Sequence, residues 1–81
     1  MGNYNLESIN RLVMLGKKQL EDGLYNDALN SFEQAISLDQ KDPDLWNLMG
    51  IALRSLGRYN EAIECFNKSL EIDPRDKNAS W

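Results

Sequence analysis

Carboxylates have the greatest capacity for chemistry in this sequence, because the chain contains no histidine and a single cysteine. Two close pairs stand out, Glu21 with Asp22 and Asp42 with Asp44. Paired carboxylates can act as general acid and base, but each of these pairs flanks the end of a predicted helix, where capping and turn formation explain acidic residues. Cys65 lies on an amphipathic segment and is interpreted as a small buried hydrophobe. We predict no enzyme activity, no catalytic or metal-binding residues and no cofactor.

Charge and composition narrow the class of partner. The 81-residue chain has a net charge of −4, which gives no basic surface for nucleic acid or anionic lipid. No apolar run approaches the length of a membrane span, and the first residues lack the basic flank and apolar core of a signal peptide. One cysteine excludes an intramolecular disulfide, so nothing indicates an oxidising compartment. We therefore predict a cytoplasmic protein that binds neither nucleic acid nor membranes.

The sequence repeats itself at an offset of 34 residues. Five pairs of glycine, aromatic and alanine positions coincide at this offset: Gly16 with Gly50, Gly23 with Gly57, Tyr25 with Tyr59, Ala28 with Ala62, and Phe32 with Phe66. The register continues without a gap through the aliphatic and charged positions between them. A period of this length predicts a two-helix unit, present twice.

Apolar residues recur at steps of three and four in four segments, which predicts amphipathic helices over about 6–21, 25–38, 43–56 and 59–72. Gly23 suits the left-handed conformation at a helix C-terminus, and Asp42 and Pro43 suit a helix start. Short polar connections make consecutive helices antiparallel neighbours. The third helix is apolar over most of its circumference, so we expect it to pack on helices two and four and on one further neighbour.

The second unit contains, in order, Trp46, Met49, Gly50, Gly57, Tyr59, Ala62, Phe66 and Pro74. This pattern, with Leu53 and Ser69 as weaker matches, closely resembles a tetratricopeptide repeat. The first unit departs from the pattern at Leu12, Gln19 and Gln40. The resemblance implies an all-α fold, in which two helix-turn-helix hairpins stack as a segment of a right-handed α-solenoid. The predicted divisions are a frayed N-terminus at 1–5 with Asn5 as a helix cap, hairpins at 6–40 and 41–74, and a tail or the start of a further helix at 75–81.

The resemblance also implies a function, because in this family the first helices of the repeats line a concave groove. The predicted function is a non-catalytic protein-interaction module that holds a peptide or helix of a partner protein. The positions that correspond to the groove are Asn10, Val13, Lys17, Leu20, Glu21, Asp44, Asn47, Ile51, Arg54 and Ser55. Met14 and Leu48 fit either the groove or packing between helices. A mixed apolar and basic strip of this kind suits an extended or helical peptide with some acidic character.

One branch of the family binds the C-terminal carboxylate of heat-shock chaperones through Lys and Asn residues at set positions. Here Val13 stands where Lys is expected, Lys17 where Asn is expected, and Leu48 where a second Asn is expected. A terminal carboxylate needs paired donors in a desolvated groove. We therefore expect this chain not to bind chaperone tails.

An alternative function follows from the end of the repeat array. Terminal units of repeat proteins normally need a polar cap, and the two units here show no evident capping helix. Either a longer array continues after the second unit, or another copy covers the last helix. The residues expected on that uncovered face are Ile63, Leu70, Ile72 and Trp81. The alternative is therefore a structural self-assembling unit that forms a homodimer, exchanges a hairpin or stacks head to tail.

Overall fold

The computed structural model describes residues 2–74, which form four α-helices and no strand. The helices are α1 (Gly2–Glu21), α2 (Tyr25–Leu38), α3 (Pro43–Ser55) and α4 (Tyr59–Ile72). α1 packs on α2 and α3 packs on α4, so the chain forms two helical hairpins. α2 also packs on α3, and this contact stacks one hairpin on the other. The predicted all-α architecture of stacked helical hairpins is confirmed.

The start of α1 differs from the prediction. The helix begins at Gly2, four residues before the expected start at Leu6, so 2–5 is helical and Asn5 is not a cap. The expectation of a frayed N-terminus came from the lack of apolar periodicity, which reports packing and not backbone conformation. Once a helix is nucleated, each added residue gains a backbone hydrogen bond, and no proline interrupts this segment. The predicted tail at 75–81 lies outside the described residues.

Gly23 and Gly57 end α1 and α3 in the same way. Their φ angles are 79° and 81°, in the left-handed region that an L side chain adopts only with strain. After α1, the N–H of Gly23 donates to the Leu20 carbonyl at 3.1 Å and the N–H of Leu24 to the Gln19 carbonyl at 2.8 Å. This pair of bonds is a Schellman motif, and equivalent bonds follow α3. The motif reverses the chain into the second helix of each hairpin.

A glycine and a phenylalanine form the closest approach within each hairpin. A methyl group at Gly50 would lie 2.5 Å from the Phe66 ring, and one at Gly16 would overlap the Phe32 ring in the same manner. Phe32 is fully buried, whereas Phe66 is half-buried. The missing side chain therefore lets an aromatic ring lie directly on the backbone of the facing helix.

The connection between the hairpins is held by its own hydrogen bonds. The Asp39 carboxylate accepts from the Lys41 N–H at 3.0 Å, and the Trp46 indole donates to the Gln40 carbonyl at 2.9 Å. Beneath this connection, α3 buries Leu45 and Ala52 in one continuous apolar core with residues of α2. α3 also contacts α1, which is the third neighbour that its wide apolar surface predicted.

Candidate functional site

The face predicted to be concave is the one shared by α1 and α3, the first helices of the two hairpins, which contact each other directly. A depression of about 240 Å³ opens between them. It is lined by Lys17 from α1 and by Asp44, Asn47, Leu48 and Ile51 from α3. The four α3 residues are spaced by three, one and three positions, so they form one stripe on the helix surface.

The structure brings four of the predicted groove residues together around this depression, namely Lys17, Asp44, Asn47 and Ile51. Lys17, Asp44 and Asn47 are exposed, and Ile51 is half-buried. The other predicted groove positions are not part of the lining. Of those, Asn10, Glu21, Arg54 and Ser55 are exposed, and Val13 and Leu20 are half-buried and pack against the core.

Leu48 lines the depression and also packs against the core. The sequence left open whether Leu48 would face the groove or pack between helices, and the structure shows it both in the lining of the depression and against the core. Its position one turn after Asp44 and three residues before Ile51 is the signal that links it to the stripe. Met14, the other residue left open, is largely exposed and is not part of the lining.

Asp42 fixes the start of α3 and therefore the position of the stripe. Its carboxylate accepts a hydrogen bond from the Asp44 N–H at 2.9 Å, and Pro43 occupies the first turn. This bond satisfies one of the free N–H groups at the helix start. Asn47 and Ile51 follow one and two turns later on the same side of the helix.

The Arg54 side chain lies against Phe66 of α4 and does not line the depression. Its guanidinium carbon lies 5.9 Å from the centre of the Phe66 ring, a cation–π distance, and so the side chain leans toward α4. Lys17 is consequently the basic side chain at the depression itself. Asp44 is the acidic one, which leaves the rim with both signs of charge and an amide at Asn47.

A second and larger depression, of about 370 Å³, lies where the α1–α2 turn meets the end of α3. The residues around it are Gly23, Leu24, Tyr25, Asn26, Asp27 and Leu56. No pattern in the sequence predicted this depression. Leu24 is the signal that could have done so, because it is an exposed aliphatic residue in an otherwise polar turn.

The face predicted for self-association lies on α4. Among the described helices α4 packs on α3 alone, and Ile63 is 55% exposed. Leu70 and Ile72 are half-buried. Trp81, the fourth residue predicted for this face, lies outside the described residues.

Three groups have shifted pKa values, namely Arg58 at the N-cap of α4 and Glu61 and Cys65 within the helix. The Arg58 guanidinium binds both carboxylate oxygens of Glu61 at 2.8 Å, and these hydrogen bonds lower the pKa of Glu61 and raise that of Arg58. Burial, followed by the nearby carboxylates of Glu64, Glu61 and Glu33, raises the pKa of the Cys65 thiol. A raised pKa keeps this thiol protonated, so it is a poor nucleophile.

Two comparisons with known proteins bear on these hairpins. A family model described as tetratricopeptide repeat matches residues 43–76, and a second, described as TPR repeat, matches residues 16–53. The two matches together cover most of the chain. The chain belongs to the tetratricopeptide repeat family. A comparison with curated proteins gives no match.

Tetratricopeptide repeats generally mediate protein–protein interaction and are generally non-catalytic. Within residues 2–74, no three His, Cys, Asp or Glu side chains converge as a metal site would require. None of the helices described is both long enough and apolar enough to cross a membrane.

Proposed function

We propose that this tetratricopeptide repeat chain is a non-catalytic module that holds a peptide or helix of a partner protein against α1 and α3. The observation that carries the proposal is the depression lined by Lys17, Asp44, Asn47, Leu48 and Ile51. The first helices of both hairpins contribute to it, and its floor is aliphatic while its rim is polar. Such a surface can take one apolar side chain and hold the peptide around it.

The chemistry of the rim describes the partner segment. Asn47 offers both an amide donor and an acceptor, which match the backbone of an extended peptide. Lys17 favours an acidic side chain beside the apolar one, while Asp44 opposes a second acidic residue at the other edge. The preferred segment therefore carries an aliphatic side chain with an acidic neighbour on its Lys17 side.

Peptide selection tests this proposal and does not require an identified partner. Random peptides displayed on phage are selected against the folded chain, and the affinity of the selected sequences is then measured for variants. We expect Lys17→Glu and Asn47→Ala each to weaken binding by about tenfold, as for central residues of an interface. Lys18→Glu is the matched control, since Lys18 is also exposed on α1 and is not part of the lining.

The control must keep wild-type affinity, and circular dichroism must show that all variants remain helical. Selected peptides that bind Lys17→Glu and Asn47→Ala as tightly as the wild type would show that the concave face is not the binding site.

A second candidate function is assembly through α4, and the exposure of Ile63 favours it. Leu29 occupies the equivalent position of α2 and is only 5% exposed. An aliphatic residue that is covered in one repeat and open in the other marks a surface suited to contact with another helix. A homodimer, hairpin exchange or a head-to-tail stack would each cover it.

Sedimentation across a concentration series tests the self-assembling form of this candidate. If copies associate through α4, Ile63→Glu returns the chain to a monomer and Asn47→Glu, on the concave face, does not. A wild-type chain that stays folded and monomeric at high concentration rules out self-assembly.

A further inference from the structure

The outer face of α4 resembles the face of α2 on which α3 packs. α2, the second helix of the first hairpin, packs on α3, and Leu29 and Ile36 of α2 are buried in one core cluster with Leu45 and Ala52 of α3. The residues 34 positions later are Ile63, which is exposed, and Leu70, which is half-buried. The aliphatic character is the same at both positions of both helices. α4 therefore presents the surface that receives α3 on α2, without a helix of residues 2–74 on it.

The opposite end of the molecule has a different character. α3 contributes Leu45 and Ala52, which are 1% and 0% exposed, to the core cluster that also contains Leu29 and Ile36 of α2. The residues 34 positions earlier on α1 are Arg11 and Lys18, and both are exposed. Burying an unpaired charge costs far more than burying an aliphatic side chain gains. The outer face of α1 is thus a solvated end, and it does not have the chemistry to act as an α3.

This difference argues against a second copy on α4. A head-to-tail stack would set Arg11 and Lys18 of one copy against the aliphatic face of the other. A two-fold antiparallel pair of α4 helices brings each edge of α4 against the same edge of its partner. One such edge carries Glu64 and Glu71, which are exposed, so carboxylates would meet carboxylates.

A carboxylate on the corresponding edge of α2 acts electrostatically on the second hairpin. The pKa of Arg58, at the start of α4, is raised mainly by its hydrogen bond to Glu61, and Glu33 of α2 raises it further. Glu33 lies on the edge of α2 that corresponds to the Glu64 and Glu71 edge of α4. A helix bound on α4 with basic residues along the Glu64 and Glu71 edge would therefore be attracted by both of these carboxylates.

We propose that the outer face of α4 binds an amphipathic helix of a partner protein that imitates α3. This helix carries a large aliphatic residue and, seven positions later, an alanine, as Leu45 and Ala52 do in α3. It carries lysine or arginine along the edge that meets Glu64 and Glu71. The inference rests on the second candidate function, assembly through α4, and it names the chemistry of the occupant.

A fluorescent peptide copying residues 42–57, with two lysines added at each end, serves as the probe. We expect it to bind the wild-type chain and to bind Ile63→Glu about tenfold more weakly, as for a central contact. Leu70→Ala, a milder change, should weaken binding in the same direction. Asn47→Ala on the concave face should not alter the affinity.

Two control peptides test the chemistry of the occupant. One has arginine and lysine at the positions of Leu45 and Ala52, copying α1, and we expect binding about tenfold weaker or lost. The other has glutamates in place of the terminal lysines, and we expect it to bind more weakly in low salt and nearly equally in high salt.

Sedimentation of the chain alone separates the ways in which the inference can fail. Equal binding of the probe to wild type and Ile63→Glu overturns it. A dimer that Ile63→Glu dissociates, with no binding of the probe, shows that α4 is an interface but that a second copy occupies it. No binding and no Ile63-dependent association overturn both the inference and the assembly function.

Discussion

The Cα of Gly50 faces the ring of Phe66 so closely that even a methyl group at residue 50 would overlap the ring edge. Gly16 and Phe32 repeat this relationship 34 residues earlier. The pair sets how closely the two helices of a hairpin approach each other. It also fixes α4, and hence the exposed Ile63, relative to the depression between α1 and α3.

Gly50→Ala should destabilise the chain even though alanine is the better helix former. The methyl group would lie 2.5 Å from Phe66, and overpacking of this kind costs about 1–3 kcal/mol. Urea denaturation followed by circular dichroism measures the loss. Adding Phe66→Leu should recover part of it, and Ser55→Ala on the exposed face should cost little. If Gly50→Ala proves neutral, the ring does not limit the helix approach.

The Ser31 and Gln19 pair should behave as a unit. The Ser31 hydroxyl lies 2.7 Å from Gln19 Oε1 between α1 and α2, and Ser31 is buried. Ser31→Ala leaves the amide oxygen without this partner and should cost about 1 kcal/mol of unfolding free energy. The second hairpin has Leu53 and Cys65 at the same positions. Gln19→Leu with Ser31→Cys should therefore cost less than the sum of the single changes.

A double-mutant cycle on Gln19 and Ser31, measured in urea, gives the coupling directly. Strictly additive effects of the two changes would mean that the hydrogen bond contributes nothing to stability.

Gly57 should tolerate asparagine better than alanine, and alanine better than valine. Its φ is 81°, where a side chain costs about 1–2 kcal/mol, and asparagine relieves part of this through local hydrogen bonds. The thermal midpoints of the three variants should fall in that order. Space is not the cause, because nothing lies within 4 Å of a methyl group at this position. Equal midpoints for all three would contradict a backbone origin.

The Cys65 thiol should react slowly with an aromatic disulfide reagent in the native chain at neutral pH. Burial and the carboxylates of Glu64, Glu61 and Glu33 raise its pKa, so little thiolate forms. Ser55→Cys in a Cys65→Ala background provides an exposed thiol for comparison and should react faster. Rapid labelling of native Cys65 would show that α4 detaches readily from α3.

The same pKa shift predicts how stability varies with pH. A thiol whose pKa is higher in the folded chain than in the unfolded one stabilises the fold only while it is protonated in both states. The contribution is complete below the ordinary thiol pKa and is lost as the pH rises toward the raised value. Cys65→Ala should remove this loss of stability at alkaline pH.

The sequence predicted best what local chemistry dictates. The bounds of α2 and α4 agree with the predicted ranges, because a left-handed glycine precedes each helix and an aspartate ends each one. The predicted start of α1 was wrong, because apolar periodicity indicates which residues pack and not where a helix begins. The end of α3 differs by one residue, with Leu56 acting as the C-cap.

The sequence predicted which positions of the repeat surround the candidate site, but not the direction in which each side chain points. Position in the repeat put Lys17, Asn47 and Ile51 on the same side, and they do surround one depression. Arg54 has the same register, yet its side chain leans to the Phe66 ring, a choice that depends on the neighbouring helix. The bonds from Trp46 to Gln40 and from Ser31 to Gln19 likewise join residues whose contact only the folded chain reveals. The assignment of these residues to partner binding stays a prediction.

α3 touches each of the other three described helices, whereas α4 touches only α3. In an array held together by neighbours, the loss of either outer helix leaves the central contacts in place. Local opening should therefore begin with α1 or α4 and reach α3 last. Hydrogen exchange would then be slowest around Leu45 and Ala52 and would quicken toward both ends. α3, which supplies four of the five residues that line the depression between α1 and α3, is therefore expected to be the last helix to unfold.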